Sequence, residues 1–197
     1  MAGYSDVKAV TITADTQALD ADGISAAASV GNNAALTIGG ALASGGSCTF
    51  DAGRIVTILS AGNDAAKSFT VVGTDVNGDS QTESITGTKF FLTIASITAV
   101  GNPAGNVSAG VNASAANVIF AGRSRLKGIY LTSTATAGTV DFLTTSPSGT
   151  SLMGLSSVGD ADATRDVVIP NEGVLFTDGI FVEYTVSTFL TMTVFHA

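Results

Sequence analysis

Lys67-Ser-Phe-Thr-Val-Val-Gly-Thr-Asp-Val-Asn-Gly-Asp-Ser-Gln-Thr-Glu-Ser-Ile-Thr86 reads as strand, turn and strand. Residues 67–72 are largely β-branched and apolar, and residues 80–86 alternate polar with apolar as a half-exposed return strand does. Between them, Asn77-Gly78 is the strongest short hairpin signal, because both residues tolerate positive φ. The same texture continues on either side. Upstream, Leu36-Thr-Ile38 ends at Gly39-Gly40, and Arg54-Ile-Val-Thr-Ile-Leu59 is followed by the turn Gly62-Asn63-Asp64. Downstream, residues 90–100 form a long strand closed by Gly101-Asn102-Pro103-Ala104-Gly105, and residues 106–111 form a short one. Strands at this spacing predict a β-sandwich over 34–116.

A small-residue stretch at 112–122 reads as a linker or an interdomain strand. A second series then begins, with strands at 126–132, 139–144, 151–155, 166–169, 174–176, 180–186 and 189–195. Ser146-Pro147-Ser148-Gly149, Pro170-Asn171-Glu172-Gly173 and Thr177-Asp178-Gly179 punctuate it as turns. No segment carries a helical period with caps. The fold class is therefore all-β: two antiparallel β-sandwich units, jelly-roll or Ig-like, in tandem over 34–116 and 117–197. Residues 1–33 read as an extended N-terminal arm, with a short strand at 7–13 and no clear period over 15–33. The two halves share a style but no sequence repeat.

Composition narrows the function classes. Charged residues make up 12% of the 197, against about 25% in an ordinary soluble domain. A chain so uncharged and so rich in β-formers is expected to hide much of its surface against other protein subunits. The net charge of −8 comes mostly from Asp, which suits turns, and it argues against a nucleic-acid partner. One cysteine cannot form an internal disulfide, which fits assembly in a reducing cytoplasm. The opening residues lack a basic segment followed by an apolar one, so no secretory signal is expected. The apolar run at 90–100 is interrupted by Thr93, Ser96 and Thr98, and is too short and too polar for a membrane helix.

Residues able to do chemistry are scarce. A Ser-His-Asp or Cys-His site needs a histidine base, and the only histidine, His196, stands beside Ala197 and reads as a frayed end. Cys48, with only Arg54 as a nearby cation in sequence, reads as a small buried strand residue. Asp75-Val76-Asn77-Gly78-Asp79 has the oxygens of a calcium loop but lacks the bidentate Glu that follows in an EF-hand, so the hairpin turn accounts for it. Asp160, Asp162 and Asp166 read as a solvated loop, with an intersubunit ion site as the alternative, and Asp20 and Asp22 have the same status. No catalytic, cofactor-binding or metal residue is assigned, and no enzyme activity or cofactor is expected. Arg123, Arg125 and Lys127 hold three of the eight basic residues, and on a strand they would share a face. They are the candidate partner contacts, for an acidic partner or the acidic loops of a neighbouring copy. Otherwise they are a solubilising edge that discourages aggregation.

Several of these segments together resemble tailed-bacteriophage virion structural proteins. The resemblance lies in Ile38-Gly-Gly-Ala-Leu-Ala-Ser-Gly-Gly46, Arg54-Ile-Val-Thr-Ile-Leu-Ser-Ala-Gly-Asn-Asp64 and Phe69-Thr-Val-Val-Gly-Thr-Asp-Val-Asn-Gly78. Glu83-Ser-Ile-Thr-Gly-Thr-Lys-Phe-Phe91 and residues 97–111 continue it. Arg125-Leu-Lys-Gly-Ile-Tyr-Leu-Thr-Ser133, Ile169-Pro-Asn-Glu-Gly-Val-Leu-Phe176 and Gly179-Ile-Phe-Val-Glu183 are similar to a further segment of such proteins. The resemblance implies a non-enzymatic virion component, assembled in the host cytoplasm and placed on the capsid exterior. Its expected role is capsid decoration, as a cement protein that clamps major capsid subunits, with tail, neck or fibre attachment as the alternative. It implies other virion proteins and further copies of the chain as partners, a homotrimer being favoured, with no membrane or nucleic acid. A receptor- or carbohydrate-binding β-module is a reading from another class. It is weakened by the absence of Trp and by only three tyrosines, Tyr4, Tyr130 and Tyr184.

Overall fold

The computed structural model describes residues 6–13, 20–64, 66–84, 87–111, 116–185 and 188–197. Sixteen strands and no helix occur among them, so the protein is all-β, as the strand-and-turn pattern predicts. The chain divides into two compact units, residues 18–114 and residues 1–17 together with 115–197.

After β1 (Lys8–Thr13), seven strands build the unit of residues 18–114: β2 (Asp20–Ala28), β3 (Ala43–Ser44), β4 (Ser47–Ser60), β5 (Ser68–Thr74), β6 (Ser80–Ser84), β7 (Phe90–Val100) and β8 (Val107–Val111). All pairings are antiparallel and run β2-β8-β4-β7-β5-β6, with β3 folded back on β4. Besides β3, the long strand β4 pairs with two neighbours along different parts of its length. Its first part, through Ile55, pairs β7 across a register break between Thr49 and Arg54, and Val56–Ser60 pairs β8. The break lies within the β7 pairing, and the change of partner follows it, between Ile55 and Val56. Ile24, Val107 and Val111 from the β2–β8 side then share one core with Phe69, Phe91 and Ile97 from the β5–β7 side. Burying each such side chain is worth about 1.5–3 kcal/mol.

The hairpin read from the sequence is present, with Thr70 opposite Ser84 and Thr74 opposite Ser80. Its turn uses Gly78 alone in the left-handed region (φ 86°), while Gly78 N–H donates to Asp75 O at 3.1 Å. Asp75 Oδ1 accepts from the N–H groups of Asn77 (2.8 Å) and Asp79 (3.0 Å), so the carboxylate serves the turn.

The segment expected to be an arm is instead divided between the two units. Residues 20–28 form β2, with Ile24 fully buried, and Ile24 O accepts from Gly39 and Gly40 N–H at 3.0 and 3.1 Å. Residues 8–13 form β1, paired along its whole length with the last strand of the other unit. Both pieces fold because a neighbouring strand supplies the backbone partners that their plain sequence does not advertise. The part of the proposed arm at 1–5 and 14–19 lies outside the described residues.

The unit of residues 1–17 and 115–197 contains β1 and eight later strands. These are β9 (Ala116–Phe120), β10 (Ser124–Ser133), β11 (Ala137–Leu143), β12 (Ser151–Val158), β13 (Thr164–Val168), β14 (Val174–Phe176), β15 (Ile180–Tyr184) and β16 (Phe189–His196). One sheet is ordered β1-β16-β10-β13, with β14 also on β10, and the other β12-β11-β15-β9. The stretch at 112–122, read as a linker or an interdomain strand, contributes a strand, β9. Ile12, Leu126, Leu131, Met192 and Val194 are buried on the first sheet, and Val140, Phe142 and Val182 on the second. Tyr184 and Phe189 join the two sheets edge to face, with ring centroids 4.9 Å apart.

Candidate interaction surface

The face of the five-stranded sheet opposite its buried side chains is built in rows by strand register. Ala9 lies opposite Phe195, Phe195 opposite Gly128, and Gly128 opposite Val168. The next row is Thr11, Thr193, Tyr130 and Asp166, and the third is Thr13, Thr191, Thr132 and Thr164. Sheet geometry spaces such side chains about 4.8 Å across the strands and about 6.8 Å along them. Val168 is 78% exposed and Tyr130 40% exposed, and Asp166 is the one charge in the three rows. A partly exposed and nearly uncharged β-face loses little charge hydration when another protein covers it.

The three basic residues divide at one end of this face. Arg125 and Lys127 do share a face: Arg125 Nη1 donates to Glu172 O (3.4 Å) and Lys127 Nζ to Asn171 O (3.2 Å). Their common aim follows from the period of two along β10. Register against β16 slips between Leu126 and Gly128, which makes Lys127 a bulge residue. Arg123 precedes β10, is exposed, and borders a cavity. Asp160 and Asp162 lie at the opposite end of β10, where Asp162 N–H donates to Ser133 O at 3.0 Å, and both are exposed.

The cavity, of about 480 Å³, opens where β1 begins and β16 ends. Val7 and Phe120 give it an apolar side, Lys8 and Arg123 its cations, and Ser124 and His196 buried polar groups. Here the sequence reading of His196 is corrected. The residue is not frayed but 3% exposed, held in β16 between Lys8 of β1 and Leu126 of β10. Its Nδ1 is 3.2 Å from Ser124 Oγ, and its ring lies 5.1 Å from that of Phe120. Burial pushes the imidazole pKa below its ordinary value, and the charge of Lys8 pushes it the same way. Ser124 Oγ also donates to Ala197 O (3.1 Å), which in turn accepts from Arg125 N–H (2.8 Å). The inward phase of Met192, Val194 and His196 was the sequence signal for this placement.

In the other unit, Cys48 is fully buried as expected of a strand residue, and burial raises its thiol pKa. Two charged side chains there were not singled out by the sequence. Arg54 is 2% and Glu83 5% exposed, and Glu83 Oε1 accepts from Thr88 N–H, Thr88 Oγ1 and Lys89 N–H at 2.9, 2.9 and 3.2 Å. These bonds tie the β6–β7 connection in place and present no open site. No protein family, curated protein or solved structure matches the chain.

Proposed function

We propose that this chain is a non-enzymatic structural protein of a tailed-phage virion, a capsid decoration protein that clamps neighbouring major capsid subunits and stabilises the head. The observation that carries the reading is the outer face of the β1-β16-β10-β13 sheet, partly exposed and nearly uncharged across three rows. The resemblance of the chain's strand segments to virion proteins supports the same conclusion. Such a face suits broad contact with a repeating shell, in which many weak contacts add and binding to the assembled state alone stabilises it. Arg125 and Lys127 border the face and orient an acidic partner at one end. The same reading favours a homotrimer.

The test is reconstitution. Purified chain is added to expanded heads that lack it, and the particles are imaged by cryo-EM. Density at capsomer junctions, with the sheet face against the shell, is the expected outcome. Density confined to the portal–tail axis of whole virions would replace this role with a neck, tail or fibre one, and density at neither would overturn the virion reading.

A further inference from the structure

We propose that the free edge of β12 is a pairing site for a second copy of the chain, with the two β12 strands antiparallel about a two-fold axis. The strand ends the β12-β11-β15-β9 sheet, and among the described residues it pairs with β11 alone. It belongs to the other sheet from the outer face described above, and the inference does not rest on the virion reading.

The edge is unguarded. An edge strand offers unpaired main-chain groups, and native proteins protect such edges with charge, proline or shortness. The other edge strands of five residues or more all carry charge: Lys8 on β1, Asp20 and Asp22 on β2, Glu83 on β6, and Arg165 and Asp166 on β13. Strand β12, Ser-Leu-Met-Gly-Leu-Ser-Ser-Val over eight residues, has no charge and no proline. Its free hydrogen-bonding groups can be named. Thr185 N–H donates to Thr139 O at 3.0 Å, so the main-chain groups of Thr139 face β15 and those of Val140 face β12. Val140 lies opposite Leu155, and alternation leaves the N–H and C=O groups of Gly154, Ser156 and Val158 on the free side. All three residues are exposed.

The side chains select a second copy as the occupant, because the strand is complementary to itself. Leu152 and Val158, at its two ends, are 41% and 61% exposed. An antiparallel pair centred on Leu155 sets Leu152 of each copy opposite Val158 of the other, and Gly154 opposite Ser156. Cross-strand apolar pairs of this kind stabilise a sheet. The register also keeps inner side against inner side. Met153, opposite the buried Phe142, and Leu155, opposite the buried Val140, are only half covered, and the second copy's strand would complete their cover. No like charges meet along the pair, and Asp160 and Asp162 of the two copies fall at its opposite ends. So short an interface is weak alone and gains strength where other contacts hold copies together. The subunits of a cyclic trimer meet through a contact of different symmetry, so this one is additional to it.

Sedimentation velocity from about 1 μM to about 1 mM should show the mass of the parent chain at least doubling. Charge at Ser156 tests the register. Asp141 lies opposite Gly154, and its Oδ1 would stand 2.7 Å from a Cβ placed there, so its carboxylate borders the position that Ser156 of the second copy takes. Ser156→Glu, which occurs twice across the two-fold, should weaken association about tenfold, whereas Ser156→Lys should not. Val158→Asp, which removes the apolar partner of Leu152, should weaken it as well. Both positions are exposed, and thermal unfolding checks that each variant is folded. One mass at every concentration, parental association in both Ser156→Glu and Val158→Asp, or equal weakening by Ser156→Lys and Ser156→Glu would overturn the proposal.

Discussion

Thr11 and Thr193 meet hydroxyl to hydroxyl at 2.9 Å, across 182 residues of sequence. The contact lies in a ladder that runs unbroken from Lys8 opposite His196 to Thr13 opposite Thr191. Strand β1 is thus a structural part of the unit it joins, and β16 is an interior strand with β1 on one side and β10 on the other.

Removal of β1 should therefore damage folding before it affects any contact with a partner. Ile12 is fully buried opposite Met192, and Ile12→Ala should cost about 2–5 kcal/mol. Urea unfolding followed by near-UV circular dichroism measures this. An unchanged midpoint would return β1 to the status of a detachable arm.

The close approach of β2 to β8 gives a second test. A Cβ at Gly110 would collide with the main-chain oxygen of Asp20, whereas one at Gly31 would meet nothing within 4 Å. Gly110→Ala should destabilise the unit of residues 18–114 by about 1–3 kcal/mol or more, the range for overpacking. Gly31→Ala should be close to neutral. Thermal unfolding of the pair distinguishes backbone crowding from a general cost of replacing glycine.

The parts of the fold that could be read from sequence were those with contrast. Strands such as β7 and the Asn77-Gly78 hairpin carry β-branched runs bounded by turn residues, and they stand where expected. Asp20-Ala-Asp-Gly-Ile-Ser-Ala-Ala-Ala28 carries one large apolar side chain, so nothing local marks it as a strand. Its state is fixed by pairing with β8, which is a tertiary fact. The shared aim of Arg125 and Lys127 followed from period two, but the bulge at Lys127 did not. The cavity could not be read at all, because it needs residues 6–8, Phe120, Arg123, Ser124, His196 and Ala197 to converge.

Cys48 should be unreactive in the folded protein. It is fully buried, and burial disfavours the thiolate that attacks a disulfide reagent. Labelling by an aromatic disulfide at mildly alkaline pH should be slow in buffer and immediate in denaturant. Fast native labelling would mean that β4 opens readily from the core.

Replacement of Arg125 and Lys127 by Ser should leave stability within about 0.5 kcal/mol, because each makes only a surface bond to the 171–172 turn. On the proposed function, the variant should bind expanded heads more weakly, with a flatter salt dependence than the parent chain. Co-sedimentation with heads across a salt series reads both effects. Parental binding and salt dependence would make these residues solubilising edge charges.

The last prediction concerns pH. Burial first, and Lys8 second, hold His196 below its ordinary pKa in the folded chain, while the unfolded chain titrates near about 6.5. Above about pH 6.5 both states are neutral at this residue, and its contribution is constant. As pH falls below that value the unfolded chain takes up the proton first, so stability is lost until the folded pKa is reached, at about 1.4 kcal/mol for each unit of separation. Asp64 does not confuse the window, because the Ser60 hydroxyl, followed by the Ala104 N–H, keeps its carboxyl below the usual carboxylate range. Urea midpoints at about pH 7.5 and about pH 5.5 should therefore differ in the parent chain and converge in His196→Gln, which cannot titrate. Equal pH dependence in the two proteins would show that the buried imidazole is not the group responsible.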